Sequence, residues 1–300
     1  MKNQPLVSII MNCYNGEKYL REAIDSVISQ KYNNWELIFW DNLSADKSSE
    51  IFKSYKDKRL KYYFAQSHSE ILYKAKNYAL EKVNGDFVAF LDVDDWWLPH
   101  KLEKQIPLFK DPKVGLVYGN LWRFFEKKNK KEIYRKKLLP KGMILNDLLD
   151  DYTISSATYV IRRESIKSLK YSFNDKFHII GDFDLKIRLA AKWKFDCIQE
   201  PVAVGRIHGK NESLIKKNIE IKELKIWYEE MRKDEFFSNI KELDKVKKNF
   251  LYLEVFEIIL NEGFNKSFLK VIKYPFCFKK IKLLLALILP RFILKKIKNY

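Results

Sequence analysis

Phe87-Val88-Ala89-Phe90-Leu91-Asp92-Val93-Asp94-Asp95-Trp96-Trp97-Leu98-Pro99 sets an unbroken apolar run directly against three carboxylates. Five apolar residues stopped by acidic ones read as a strand covered on both faces, the kind found inside a parallel sheet. Two earlier runs have the same form. Leu6-Val7-Ser8-Ile9-Ile10-Met11 leads into Asn12-Cys13-Tyr14-Asn15-Gly16, and Trp35 to Trp40 leads into Asp41-Asn42. Between them the apolar period changes: Tyr19, Leu20, Ala23, Ile24, Val27 and Ile28 fall on one face of a helix. Strands are also expected at 60–64 and 114–118, and helices at about 46–56, 70–83 and 99–109. This alternation predicts an α/β fold, a mostly parallel sheet flanked by helices. Ligands of such sheets sit beyond the carboxyl ends of the strands. Tyr14, Asn15, Asp41, Asp92, Asp94 and Asp95 are therefore expected on one edge.

Downstream, Glu126 to Lys137 holds seven Lys/Arg in a loop or exposed hairpin, read as a solvated charge run. Residues 154–161 read as a strand and 182–193 as a helix. Val202, Val204, Arg206 and His208 share one face of an extended segment, apolar first and polar last. From about 214 onward the patterns are helical and rich in Lys and Glu, which places a boundary near 210–215. The chain has 300 residues, 47% of them hydrophobic, enough for one or two packed cores and incompatible with disorder. Its net charge of +18 points to an anionic partner: nucleic acid, a membrane surface or a phosphorylated substrate. Three widely spaced cysteines support neither a disulfide framework nor a cysteine zinc site, so a reducing cytosol is expected. The apolar stretch 6–11 is too short for a signal peptide core, and the best spanning candidate, Leu283 to Leu289, is stopped by Pro290 and Arg291. From Gly263 to Tyr300 there are ten Lys/Arg and no Asp or Glu, interleaved with Phe, Ile and Leu. That composition fits an amphipathic segment lying on an anionic membrane surface.

Asp92, Asp94 and Asp95 clustered at a sheet edge repel one another unless a cation or donor groups are present. A divalent Mg²⁺ or Mn²⁺, taking hard oxygen ligands, is one explanation; a cap on the helix beginning near Pro99 is the other. Asp41 either accepts hydrogen bonds from a base or ribose or simply forms a turn. Asp184 stands four residues before Arg188, the spacing of a helical ion pair, which leaves Asp182 as the freer carboxylate. Gly181 lets a ligand or another backbone approach closely. Arg206 suits a diphosphate, and His208 could bind it or a metal. Glycine-rich phosphate loops, a serine nucleophile elbow and a zinc-helix histidine pair are all missing.

Pro5-Leu6-Val7-Ser8-Ile9-Ile10 with Tyr14-Asn15, Glu36-Leu37-Ile38 leading to Asp41 and Ser44-Ala45-Asp46, and Gly85-Asp86-Phe87 leading to the 91–99 segment agree in order and spacing over residues 5 to 213. Together they resemble the family 2 nucleotide-sugar glycosyltransferases of GT-A fold. The resemblance implies an inverting enzyme moving a sugar, from a UDP-sugar, onto a hydroxyl of a glycan or lipid-linked glycan in surface polysaccharide assembly. It implies donor contacts from Tyr14, Asn15, Asp41, Asp92 and Arg206, and Mn²⁺ or Mg²⁺ at Asp92, Asp94 and His208. It also implies a catalytic base at Asp182, with Asp184 as the alternative. Arg206 to Ser213 is similar to the family's late motif near the diphosphate. The pattern is broken at two places: Asn42-Leu43 replaces Asp-Gly, and Gly181 replaces the Glu before Asp182. The implied layout is a catalytic domain over 1–213, with a donor half at 1–120 and an acceptor half at 121–213, then a basic helical region over 214–300. The enzyme would lie peripherally on the cytoplasmic face of the membrane. A metal-dependent nucleotidyltransferase and a nonenzymatic basic binder are the competing readings. No nucleic-acid partner is expected, because four carboxylates on one edge oppose a phosphate backbone.

Overall fold

β1 (Val7–Cys13), α1 (Leu20–Ile28), β2 (Trp35–Asp41), α2 (Ser48–Lys53), β3 (Leu60–Phe64), α3 (Leu72–Leu80) and β4 (Phe87–Phe90) open the chain in strict alternation. The computed structural model describes residues 4–262 and 264–298. Gly263, Asn299 and Tyr300 of the basic tail lie outside the described residues. The chain divides into two units, Met1–Ile215 and Lys216–Tyr300. In the first, β3, β2, β1 and β4 pair side by side and all in parallel. β2 and β4 are buried along their whole length, as their unbroken apolar runs require. Ile9, Met11, Leu37, Phe39 and Ala89 pack with Leu20, Ala23, Ile24 and Val27 of α1 in the main core.

The rest of this unit contains β5 (Trp96–Trp97), α4 (Lys101–Gln105), β6 (Val114–Phe125), β7 (Lys130–Ile133), α5 (Leu145–Asp150), β8 (Val160–Arg162), α6 (Arg163–Lys167), α7 (Gly181–Ala190), β9 (Lys194–Ile207) and α8 (Glu212–Ile215). The strand order is β3-β2-β1-β4-β8-β6-β9-β5, with β7 on β6. Here antiparallel pairs enter the sheet. β8 is antiparallel to both β4 and β6, and β5 to β9, while β6 and β9 remain parallel. The sheet is therefore mixed, parallel throughout β3-β2-β1-β4 and of both kinds beyond it.

Three sequence expectations shift for local reasons, while the 126–137 run takes the hairpin form expected of it. The 99–109 helix is α4 followed by a 3-10 turn at Ile106–Lys110, because Pro107 removes a donor and crowds the preceding turn. The 154–161 strand shrinks to β8, since Ser156–Thr158 form a 3-10 turn in which Thr158 Oγ1 donates to the Ser155 carbonyl at 2.8 Å. The 126–137 charge run closes the β6–β7 hairpin, with Asn129 left-handed at φ 47°. β9 begins at Lys194, eight residues before the alternating segment; its pairing with β6 slips near Pro201, which has no N–H to give the ladder.

Gly85 shows how tightly β1 and the loop before β4 are fitted. A Cβ there would lie 2.6 Å from the Leu6 carbonyl oxygen and 2.7 Å from the Ser8 nitrogen, both backbone. Asp86 Oδ2 accepts the Leu6 N–H at 3.2 Å, and Ser8 Oγ accepts the Gly85 N–H at 2.8 Å. Gly85→Ala is expected to destabilise the first unit by about 1–3 kcal/mol, as overpacking against backbone does. Urea unfolding checks this: the midpoint should fall at unchanged slope.

The second unit is helical: α9 (Lys217–Met231), α10 (Leu243–Glu262), α11 (Phe264–Lys273), α12 (Phe278–Ile288) and α13 (Arg291–Lys298). Val255, Ile259 and Leu260 of α10 meet Val271, Tyr274, Leu283, Ala286 and Leu294 in a core of their own. Lys225 and Glu254 join α9 to α10 at 2.8 Å. No helix among the described residues is long and apolar enough to cross a membrane.

Candidate active site

The carboxyl ends of β1 and β2 form one side of the site. Asn15, at φ 55°, accepts the Ala45 N–H through Oδ1 at 2.8 Å, and its own N–H donates to Ser44 Oγ at 3.0 Å. Asp41 is fully buried: Oδ1 accepts the Ser44 N–H at 2.8 Å and Oδ2 accepts the Tyr62 hydroxyl at 2.7 Å. Its carboxylate shapes the 41–46 loop from beneath. The open surface is aromatic instead. Tyr14 is 54% exposed, with its ring centroid 4.3 Å from that of His68. Asn42 fixes the 68–69 segment, donating to the Ser69 carbonyl at 2.8 Å and accepting the Ser69 N–H at 3.0 Å.

The loop after β4 carries the acidic cluster, and its three carboxylates have different surroundings. Asp95 is partly buried and accepts the Arg206 N–H at 2.9 Å; desolvation first, then the neighbouring Asp94 and Asp92, push its carboxyl well above the usual range. Asp92 is half-open and accepts from the buried Lys76 ammonium of α3 at 3.1 Å. Asp94 Oδ2 lies 3.0 Å from His208 Nε2 and 3.3 Å from Asn211 Nδ2. None of them caps α4, whose N-terminal neighbour is His100.

Arg206 does not reach open space as expected of a diphosphate ligand. Its guanidinium pairs with Glu22 of α1, donates from Nε to the Asp94 carbonyl at 3.1 Å, and lies over the rings of Tyr19 at 4.5 Å and Trp96 at 4.7 Å. It therefore anchors the acidic loop to β9 and α1. His208, just past β9, stacks on Tyr19 with centroids 5.2 Å apart, which aims its Nε2 at Asp94.

At the other side, α7 presents Asp182 in its first turn. Asp182 is not the free carboxylate that the spacing suggested. Oδ2 accepts Lys186 Nζ at 2.7 Å and Ser156 Oγ at 2.9 Å, though the side chain keeps 15% exposure. The i,i+4 rule that pairs Asp184 with Arg188 pairs Asp182 with Lys186 equally well. Lys186 is fully buried and also donates to Tyr152 Oη at 2.7 Å and the Ile154 carbonyl at 3.1 Å. Burial pushes the Asp182 carboxyl up, but Lys186, Lys76 and Ser156 outweigh it and hold it below the usual range. Asp184 is completely buried, with Oδ2 taking Arg188 Nη2 at 2.7 Å and Nε at 3.0 Å. The close neighbour of Gly181 is neither ligand nor backbone: a Cβ there would lie 2.4 Å from the Tyr73 ring.

Among the described residues no group of three or more His, Cys, Asp or Glu is gathered as a metal cage. The expected set of Asp92, Asp94 and His208 is thus not gathered as a unit: Asp92 faces Lys76, whereas Asp94 faces His208. Asp94 and His208 do face one another, a hard oxygen beside an imidazole nitrogen. An open pair of this chemistry fits Mn²⁺ or Mg²⁺, which complete their shells with phosphate oxygens and water.

Residues 8–170 match the family described as Glycosyl transferase family 2. A relative from Escherichia coli, described as a UDP-Glc:alpha-D-GlcNAc-diphosphoundecaprenol beta-1,3-glucosyltransferase, is 34% identical over 171 residues, 57% of this chain and 66% of its own. The match spans just under two thirds of that relative. The structure of S. aureus TarS 1-349 in complex with UDP-GlcNAc aligns at TM-score 0.67 and 17% identity, covering 90% of this chain and 81% of that one. A Pyrobaculum calidifontis mannosyltransferase in complex with GDP-Man and Mn²⁺ aligns at TM-score 0.65 and 15% identity, covering 100% and 85%.

Proposed function

The chain belongs to glycosyl transferase family 2 and has the GT-A fold of that family's enzymes, and from this premise we propose that it is an inverting hexosyltransferase using a UDP-sugar. The acceptor is a hydroxyl of a lipid-linked glycan in surface polysaccharide assembly, reached from the cytoplasmic face of the membrane. The observation that carries the reading is the partly exposed Asp182 carboxylate, held by Lys186 and Ser156, together with the facing Asp94–His208 pair. The E. coli relative, by its description, takes UDP-Glc and a diphosphoundecaprenol acceptor, and this supports the choice of donor and acceptor class.

In this mechanism Tyr14 and Asn15 line the nucleoside end, with the Tyr14 and His68 rings as the surface a base can stack on. Asp41 holds the loop beneath it. Asp182 accepts the proton of the acceptor hydroxyl as that oxygen forms its bond to the anomeric carbon. The bond from that carbon to the diphosphate breaks on the opposite face, so the configuration inverts. Mn²⁺ or Mg²⁺ held by Asp94 and His208 would neutralise charge on the departing diphosphate. Lys76, buried beside Asp92 at 3.1 Å, also helps Lys186 hold the Asp182 carboxyl below the usual range.

A panel of nucleotide sugars offered to the purified chain with Mn²⁺ tests the reading. Nucleoside diphosphate should be released, fastest from a UDP-hexose. Release of pyrophosphate would identify a nucleotidyltransferase, and preference for a GDP-sugar would replace the uridine assignment.

A further inference from the structure

The basic tail is the sequence feature that the transfer reaction leaves unused. Val271 of α11 and Tyr274 just after it pack into the core of the second unit. Phe264, Phe268, Leu269 and Ile272 recur at i, i+4, i+5 and i+8 on a different face, and all four are exposed. α12 repeats the arrangement: Leu283 and Ala286 face the core, while Ile281, Leu284, Leu285 and Ile288 form an exposed stripe at i, i+3, i+4 and i+7. Between the helices Phe276 is 87% exposed, and Phe278, which opens α12, is 70% exposed. These stripes take no part in the core that holds the unit together, and solvated proteins rarely leave so many large apolar groups in water without a partner.

The charges say which partner. From Gly263 to Tyr300 no Asp or Glu occurs. Lys266, Lys270 and Lys273 fall on α11 between its core face and its exposed stripe, at the level where an interfacial helix meets headgroups. A second copy of the chain would set ten cations against ten more. We infer that α11, the 274–277 connection and α12 form a docking surface for an anionic lipid bilayer, with the two stripes inserted below the lysines. The inference deepens the proposed function, since a lipid-linked acceptor is reached from such a surface, but its test does not use the transfer reaction.

Deleting 263–300 would be a poor test, because Val271, Tyr274, Leu283 and Ala286 belong to the unit's core. The full chain should instead be sedimented with phosphatidylcholine vesicles, with and without phosphatidylglycerol. Binding is expected to the anionic vesicles, at least tenfold weaker to the neutral ones, and weakened by added salt, each cation near the surface contributing about fivefold. Leu269→Glu with Ile288→Glu should lower binding by tenfold or more at unchanged thermal midpoint, as both side chains are exposed. Lys273→Gln with Lys282→Gln should weaken binding to anionic vesicles alone, without touching an apolar residue. The inference is overturned if the wild type stays in the supernatant with anionic vesicles at low salt, or if Leu269→Glu with Ile288→Glu binds as tightly. A lipid-free dimer that this double variant dissolves would also overturn it, assigning the stripes to a second copy. Vesicle binding without binding of UDP would sink the donor assignment and leave the surface standing.

Discussion

Asp94→Ala is expected to lower kcat/KM on the order of 10²–10³-fold, comparable to removing a single stabiliser of transition-state charge, and chelation with EDTA should do the same to the wild type. The expectation rests on position. Asp94 is the acidic-loop carboxylate that faces an imidazole, whereas Asp95 accepts the Arg206 N–H and Asp92 is matched by Lys76. Variants at the two outer positions should therefore differ in kind. Asp94→Ala removes one contact each from His208 and from Asn211, which keeps its bond to the Arg206 carbonyl at 3.0 Å, so its thermal midpoint should stay near wild type. Asp92→Ala leaves the buried Lys76 ammonium without its ion pair, and stability should fall along with activity. Mn²⁺ titration in the presence of UDP, followed by calorimetry or electron paramagnetic resonance, separates these outcomes from simple unfolding. Full turnover in EDTA, or near-normal Mn²⁺ binding in Asp94→Ala, would remove the metal from this site.

The half of the fold that was legible in the sequence is the half whose strands are covered on both sides. Continuous runs such as Val7–Cys13 and Phe87–Phe90 cannot be satisfied at a solvated surface, so they declare interior strands directly. β9 was half-hidden because Asp196, Gln199, Glu200 and Pro201 break the apolar run, and its pairing with the long β6, rather than its own composition, makes it a strand. In the site, the carboxylates were visible and their partners were not. Lys76 interrupts the buried face of α3 beside Tyr73, Ala75 and Ala79. A lysine at a core position is the signal that could have exposed it. Lys186 was available through the spacing already used for Asp184 and Arg188. His68, Glu22 and Tyr19 are brought to the site by the sheet's topology, and no local pattern marks them.

Asp182→Asn should lower turnover by about 10²–10⁴-fold, the range of a lost general base, while UDP binding stays near normal. Asn keeps the bond from Ser156 and the shape of the α7 terminus but cannot hold the transferred proton. Asp184→Asn should show the opposite balance. Asp184 is fully buried against Arg188, whose guanidinium also donates to the Tyr171 and Ser172 carbonyls at 2.7 and 2.5 Å. Weakening that pair should cost stability, on the order of 3 kcal/mol, with a milder loss of turnover in the folded fraction. The pH profile then distinguishes a base from a structural carboxylate. Burial alone would raise the Asp182 carboxyl, but Lys186, Lys76 and Ser156 together hold it below its ordinary value. A depressed carboxyl is ionised throughout the neutral range, so the acid limb of kcat/KM should fall only below about pH 4, where an ordinary Asp protonates. Lys186→Met removes the nearest cation and leaves burial dominant, so that limb should move to higher pH. If Lys186→Met lowers kcat at every pH without moving the limb, Asp182 does not titrate in the reaction and the base lies elsewhere.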